Sequence, residues 1–198
     1  VVLGSGPAGQ KAAIQGVKAG KRVAVVERER DLGGACVHRG TIPSKTLREA
    51  ALRVASCKLS ADMLDFRLRE DVEVASLMTS LDSVVRGHVQ YMTRQIERNG
   101  VDRYHGKASF VSANEIRVHT LKGTPVHLQS DVFIIATGSR PRTPDNIPVD
   151  HENILDSDSI LSMIYLPRSL TVLGGGVIAS EYASIFAILG VQVTMIDK

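Results

Sequence analysis

Gly4, Gly6 and Gly9 stand at the spacing of a phosphate-binding turn, directly after the apolar run Val1–Leu3. In such a turn the first glycine permits a tight bend and the second lets backbone approach a pyrophosphate. The third lets the following helix pack on the strand, and the helix N-terminus adds partial positive charge. Glu27 lies 18 residues beyond Gly9, at the end of the next apolar run, where a carboxylate can accept hydrogen bonds from a ribose. The pattern recurs near the other end. Gly174 and Gly176, with Ala179 in the third place, follow the run Leu170–Leu173, and Asp197 lies 21 residues beyond Gly176. Two mononucleotide-binding units in one chain imply two nucleotides and a transfer between them.

The elements that must position these residues can be read from periodicity. Val1–Leu3 reads as a strand, followed by a helix to about Ala19 with Ala8, Ala12, Ala13 and Val17 inward and Gly20 as its stop. Arg22 to Val26 is a second buried strand ending at Glu27. A helix starts near Pro43 and runs to about Cys57, and a more polar helical stretch covers Ala61 to Leu81. The next helix, about Asp82 to Arg98, puts Val85, Val89, Met92 and Ile96 on one face at spacings of 4, 3 and 4 before Asn99-Gly100 stops it. Short strands at Ala108–Val111, Ile116–Thr120 and Val126–Leu128 predict an antiparallel meander. Val132–Ala136 returns to the buried-strand type. Arg140 to Pro148 is the candidate linker, and Asp156-Ser157-Asp158 should cap a short helix carrying Ile160 and Leu161. A second strand–helix–strand unit begins at Leu170. The expected fold is α/β, with residues 1–150 as one domain of parallel sheet, helices and a small meander, and 151–198 as the start of a second.

Composition narrows the function classes. A 43% hydrophobic content with no Trp asks for a core of Val, Ile, Leu and Ala, which suits parallel strands covered on both faces. A net charge of +3, without a basic run or an aromatic platform, argues against nucleic acid. No apolar stretch is long enough to span a bilayer and no leader is seen, so no membrane role is expected. Two cysteines, Cys36 and Cys57, give no disulfide framework and suit a reducing cytoplasm. His38, His88, His105, His119, His127 and His151 show no metal-ligand spacing, and no metal site is expected. The chain opens within a strand without Met and stops just after another, so it reads as a piece of a longer protein.

The stretch Gly33 to Lys45, reading GGACVHRGTIPSK, carries the most specific signal. Together with GSGPAG, the segment Ala136-Thr137-Gly138-Ser139-Arg140-Pro141 and GGGVIASEYAS, it resembles the class I pyridine nucleotide–disulfide oxidoreductase family. That family includes dihydrolipoamide dehydrogenase, glutathione reductase and mercuric reductase. The match covers essentially the whole chain in the family's order. It implies an FAD-binding Rossmann-like domain followed by the beginning of an NAD(P)-binding one. By that resemblance Gly4, Gly6, Pro7, Ala8, Gly9 and Glu27 hold the ADP half of FAD. Gly34, Cys36 and Thr41 line the flavin motif, and Thr137 and Gly138 lie near the pyrophosphate or its connecting strands. Lys45 sits near flavin N5, paired with Glu181 of the second turn, and both are the catalytic candidates. Gly174, Gly176 and Asp197 hold a nicotinamide nucleotide.

One departure shapes the expected chemistry. The family's dithiol needs two sulfurs with Cα atoms within about 7 Å, and the second position is Thr41. Cys57 cannot stand in: if the segment is helical, the 12 residues from Lys45 to Cys57 span about 18 Å. Cys57 is read as a small buried hydrophobe and Cys36 as a packing residue rather than a catalytic one. Within the family, this pattern resembles the soluble pyridine nucleotide transhydrogenases, which likewise lack the second cysteine. The expectation is an FAD-dependent exchange of hydride from NADPH to NAD+. Two alternatives are a dithiol reductase of the dihydrolipoamide dehydrogenase type and a non-catalytic flavin-binding relay protein. Asp197 favours a free 2′-hydroxyl. A homodimer or higher homo-oligomer of the full-length protein is implied by resemblance alone.

Overall fold

The computed structural model describes residues 1–64, 74–120 and 123–198, which divide into two compact units. The first comprises Val1–His38 and Val85–Arg140, the second Arg39–Val84 and Pro141–Lys198.

In the first unit, β1 (Val2–Leu3), α1 (Pro7–Lys18) and β2 (Ala24–Glu27) make the expected strand–helix–strand opening, followed by α2 (Gly34–His38). Four parallel strands form its sheet in the order β3-β2-β1-β7, with β3 at Asp102–His105 and β7 at Ile134–Ile135. Val2 is opposite Val25 and Leu3 opposite Val26, and successive strand residues face opposite sides. Val2 and Val25 therefore pack with Ala13 of α1, Leu32, Ile96 and Val101. Leu3 and Val26 pack on the other side with Ile116 and Val118. Those two belong to the antiparallel meander β4 (Lys107–Ser112), β5 (Glu115–His119) and β6 (Val126–Gln129). Both faces of β1 and β2 are thus covered, which is why their sequences are continuously apolar.

Several expectations need correction here. β3 reads as polar, with Asp102 and Arg103 exposed, yet it pairs in parallel with β2 from Asp102 against Ala24. An edge strand with one wet face has no long apolar run to betray it. Val132–Ala136 is not a buried strand: only Ile134–Ile135 pairs, and Val132 and Ile135 are 63% and 67% exposed. β7 is the opposite edge of the sheet, where the described residues leave those side chains uncovered. On α1 the buried stripe runs through Gly9 and Ala13, and Ala8, one position off it, is exposed.

In the second unit, β8 (Ser169–Leu173), α5 (Val177–Ile188) and β9 (Gln192–Ile196) repeat the strand–helix–strand motif with parallel pairing, Leu170 opposite Val193. α3 (Thr41–Leu64) starts two residues before Pro43, whose missing N–H falls among the first-turn amides that no helical carbonyl could satisfy. Leu47 and Ala51 of α3 meet Tyr182, Ile185 and Phe186 of α5, with Leu189 and Val191 closing the cluster. By Cys57 α3 has passed this contact, and Ser56 to Ser60 are all exposed, so Cys57 is a surface thiol and not a buried one. α4 (Val74–Arg98) begins earlier than the expected Asp82. Residues 65–73 of the expected polar stretch lie outside the described residues. The short helix after Asp156 is a 3-10 turn, Ser159–Ser162. Asp156 Oδ1 accepts from the backbone N–H groups of Asp158 and Ser159 and from Ser159 Oγ.

Candidate nucleotide-binding sites

The first turn is built where β1, β2 and β7 end together. Gly4 N donates to Val26 O at 2.8 Å and Ala136 N to Leu3 O at 2.8 Å. Gly4 has φ +102, and a Cβ there would run into the Ala136 carbonyl, with Thr137 Cα 3.4 Å away. A Cβ at Gly9 would strike the Gly4 carbonyl, and one at Gly34 would sit 2.9 Å from Gly6 Cα. The Gly4–Gly9 turn and the Gly33–Gly34 turn therefore meet backbone to backbone, the side-chain-free surface a pyrophosphate requires. Gly6 caps α1 in extended conformation, and Pro7 and Ala8 are exposed at its start. Gly138 has no neighbour within 4 Å of where its Cβ would be.

Glu27 is 6% exposed, a charged residue kept inside by its partners. Its Oε2 accepts from Ser5 N at 2.8 Å and Ser5 Oγ at 2.6 Å, and its Oε1 from Glu29 N at 3.0 Å. Burial pushes its pKa up, but hydrogen bonds from Glu29, from Ser5 twice and from the Arg28 backbone outweigh that and leave it below the ordinary carboxylate value. Ser5, itself 2% exposed, was not among the expected site residues. A hydroxyl between two fingerprint glycines was the available signal. Cys36 is half-buried on α2. His38 Nε2 lies 2.9 Å from Leu32 O, so that nitrogen carries the proton and serves the loop.

The second turn repeats the first in register. Gly174 has φ +108 and donates to Ile196 O at 2.7 Å, Gly176 caps α5 in extended conformation, and Asp197 directly follows β9. A Cβ at Gly175 would run into the Asp197 carboxylate, so the acid lies against the glycine turn. Unlike Glu27, Asp197 is exposed. Along the same α5, Glu181 forms an ion pair with Lys45 of α3, their side chains 17% and 59% exposed. The neighbouring Tyr182 carries a buried hydroxyl that finds no hydrogen-bond partner among the described residues. Burial first, then Glu181 and Asp158, push its pKa up to about 12. Arg39 reaches Asp158 at 3.6 Å. Thr41 is exposed at the start of α3.

The structure thus brings Gly4, Gly6, Gly9, Gly34, Glu27 and Thr137 together in the first unit. In the second it groups Gly174, Gly176 and Asp197, and it joins Lys45 to Glu181. Two glycine turns, each followed by an acid closing the next parallel strand, define a protein of the two-dinucleotide oxidoreductase class. Residues 1–198 match the pyridine nucleotide-disulphide oxidoreductase family, and the chain belongs to it.

The chain is 44% identical over 200 residues to a soluble pyridine nucleotide transhydrogenase of Mycobacterium bovis and covers 43% of that protein. It is 43% identical over 197 residues to the soluble pyridine nucleotide transhydrogenase of a Marinomonas species, covering 42% of it. Among solved structures it is similar to LpdA of Mycobacterium tuberculosis, with TM-score 0.87 and 25% identity over 98% of this chain and 43% of that one. It is also similar to the HOCl-induced flavoprotein disulfide reductase RclA of Escherichia coli, with TM-score 0.82, 27% identity, and 98% and 40% of the chains covered. The chain therefore spans less than half the length of the curated relatives it matches. Membership implies binding of FAD and NAD(P), and the side-chain-free turn beside a held, ionised Glu27 fits a dinucleotide.

Proposed function

We propose that this chain belongs to an FAD-dependent transhydrogenase that moves hydride from NADPH to NAD+ without a redox-active disulfide. The observation carrying this reading is the Lys45–Glu181 ion pair, which ties a cation of the flavin motif to the helix that begins at the second nucleotide turn. FAD, when bound, supplies the group that accepts hydride from one pyridine ring and returns it to another. Gly4, Gly6, Gly9 and Gly34 bind its pyrophosphate, Glu27 takes its ribose, and Cys36, Thr41, Thr137 and Gly138 contribute the remaining contacts. Lys45 would stabilise negative charge on the ring, and Glu181 holds the ammonium in place. Gly174, Gly176 and Asp197 take the nicotinamide nucleotides in turn.

The relatives named as transhydrogenases support this choice, as does the placement of sulfur. α3 runs unbroken through Lys45 and Cys57, which the helical rise separates by about 18 Å. A hydroxyl at Thr41 cannot serve as a thiolate. Asp197 favours a free 2′-hydroxyl, and its exposure leaves room for it to yield to a 2′-phosphate. Residues 1–150 are the FAD-binding domain in this reading, and 151–198 open the NAD(P)-binding one. The intact protein acts in the cytoplasm as a homo-oligomer, and no helix among the described residues is long and apolar enough to cross a membrane. Formation of thio-NADH from thio-NAD+ and NADPH by the intact flavoprotein tests the proposal. Absence of that turnover, with brisk consumption of lipoamide or glutathione disulfide, would replace it with a dithiol reductase.

A further inference from the structure

Ser5 does more than fill the space between two glycines. Its backbone N–H and its hydroxyl both donate to one oxygen of Glu27, Oε2, at 2.8 and 2.6 Å. The same hydroxyl accepts from Gly33 N at 3.2 Å. A chain of hydrogen bonds thus runs from the Gly33–Gly34 turn through Ser5 to the acid, inside a region where Ser5 is 2% and Glu27 6% exposed. With Oε2 taken twice the carboxylate cannot turn, and Oε1, which accepts only from Glu29 N at 3.0 Å, keeps a second lone pair to meet a ligand.

The second turn provides an internal comparison. Gly4 donates to Val26 O and Gly174 to Ile196 O, and each acid is the next residue after that carbonyl, so Ser5 and Gly175 occupy equivalent places. Position 175 has no side chain to offer Asp197. The two turns differ in the residue after the first glycine, which gives the acid a hydroxyl in the first turn and none in the second. A preorganised acceptor loses less freedom on binding, which suits a nucleotide that stays.

We propose that Ser5 is a positioning residue for the first nucleotide: its buried hydroxyl clamps Glu27 in the orientation that receives a ribose hydroxyl. This rests on the reading of the first turn as the FAD site. The intact flavoprotein is compared with Ser5→Ala, Ser5→Gly, Glu27→Gln and the double variant Ser5→Ala/Glu27→Gln, reading FAD release by flavin fluorescence. Ser5→Ala weakens FAD binding about 10-fold or more, the effect of losing a hydrogen bond to a buried charge, and Ser5→Gly, which copies the second turn, does the same. In the Glu27→Gln background the loss of Ser5 Oγ changes affinity less than about 2-fold, because the amide oxygen accepts from the hydroxyl without the charge that made that bond strong. Loss of this hydrogen bond also raises the Glu27 pKa, so the acid-side release of FAD moves to higher pH in Ser5→Ala. An equal loss of affinity in both backgrounds, or none in Ser5→Ala, overturns the proposal alone. A wild-type protein that takes up no FAD overturns the flavin reading together with it.

Discussion

Under the proposed reaction, Lys45 is the residue whose removal should separate chemistry from binding most cleanly. Its side chain is more than half exposed, its ammonium is held by Glu181 across two packed helices, and it takes no part in the hydrogen-bonded network around Glu27. Lys45→Met is expected to keep its FAD and lose about 100-fold in thio-NADH formation from NADPH, the scale seen when one charge-stabilising donor is removed. Unchanged turnover in that variant would assign the ion pair to structure. The placement of Gly4, Gly6, Gly9, Glu27 and Asp197 in glycine turns and at strand ends was legible beforehand, because it follows from the spacing of small residues and an acid along one chain. Ser5 was hidden, since its importance depends on Glu27 and Gly33, 22 and 28 residues away, coming together around it.

Between residues and domains, the helices and strands make their own demands. α1 lies so close to the first turn that a Cβ at Gly9 meets the Gly4 carbonyl, and backbone cannot step aside as a flexible side chain can. Gly9→Ala should cost about 1–3 kcal/mol of stability, measured by chemical denaturation, and should loosen FAD as α1 is pushed from β1. α5 makes the opposite kind of prediction. Tyr182 buries a hydroxyl that has no partner among the described residues, so Tyr182→Phe should leave stability unchanged or raise it by about 1 kcal/mol. Because the folded protein holds the phenol's pKa up to about 12, it retains the proton that the unfolded chain loses near the ordinary value of 10.0. The wild type therefore loses stability as pH climbs from about 10 to about 12, and Tyr182→Phe should lack that component of the alkaline loss. Periodicity announced α1, α4's apolar face and the meander strands. It missed β3 and overstated β7 because edge strands are chosen by what lies beside them, not by their own pattern of apolar residues.

At the scale of the intact flavoprotein, the count of electrons tests the chemistry as a whole. A protein that passes hydride through FAD alone takes up about one NADPH per flavin in an anaerobic titration. Uptake of about two, with the second entering before the flavin is fully bleached, would mean that a disulfide shares the load and that Cys36 has a partner. The two nucleotide turns, their acids and the α/β class were all readable from residue order, because they depend on steric exclusion and strand–helix alternation within some 30 consecutive residues. Folding decided the rest. It brought Lys45 to Glu181 across 136 residues, buried Glu27 under Ser5, and put Cys57 on the surface. Such choices arise where side chains distant in sequence compete for the same buried space and the same hydrogen bonds, and local pattern carries no record of that competition.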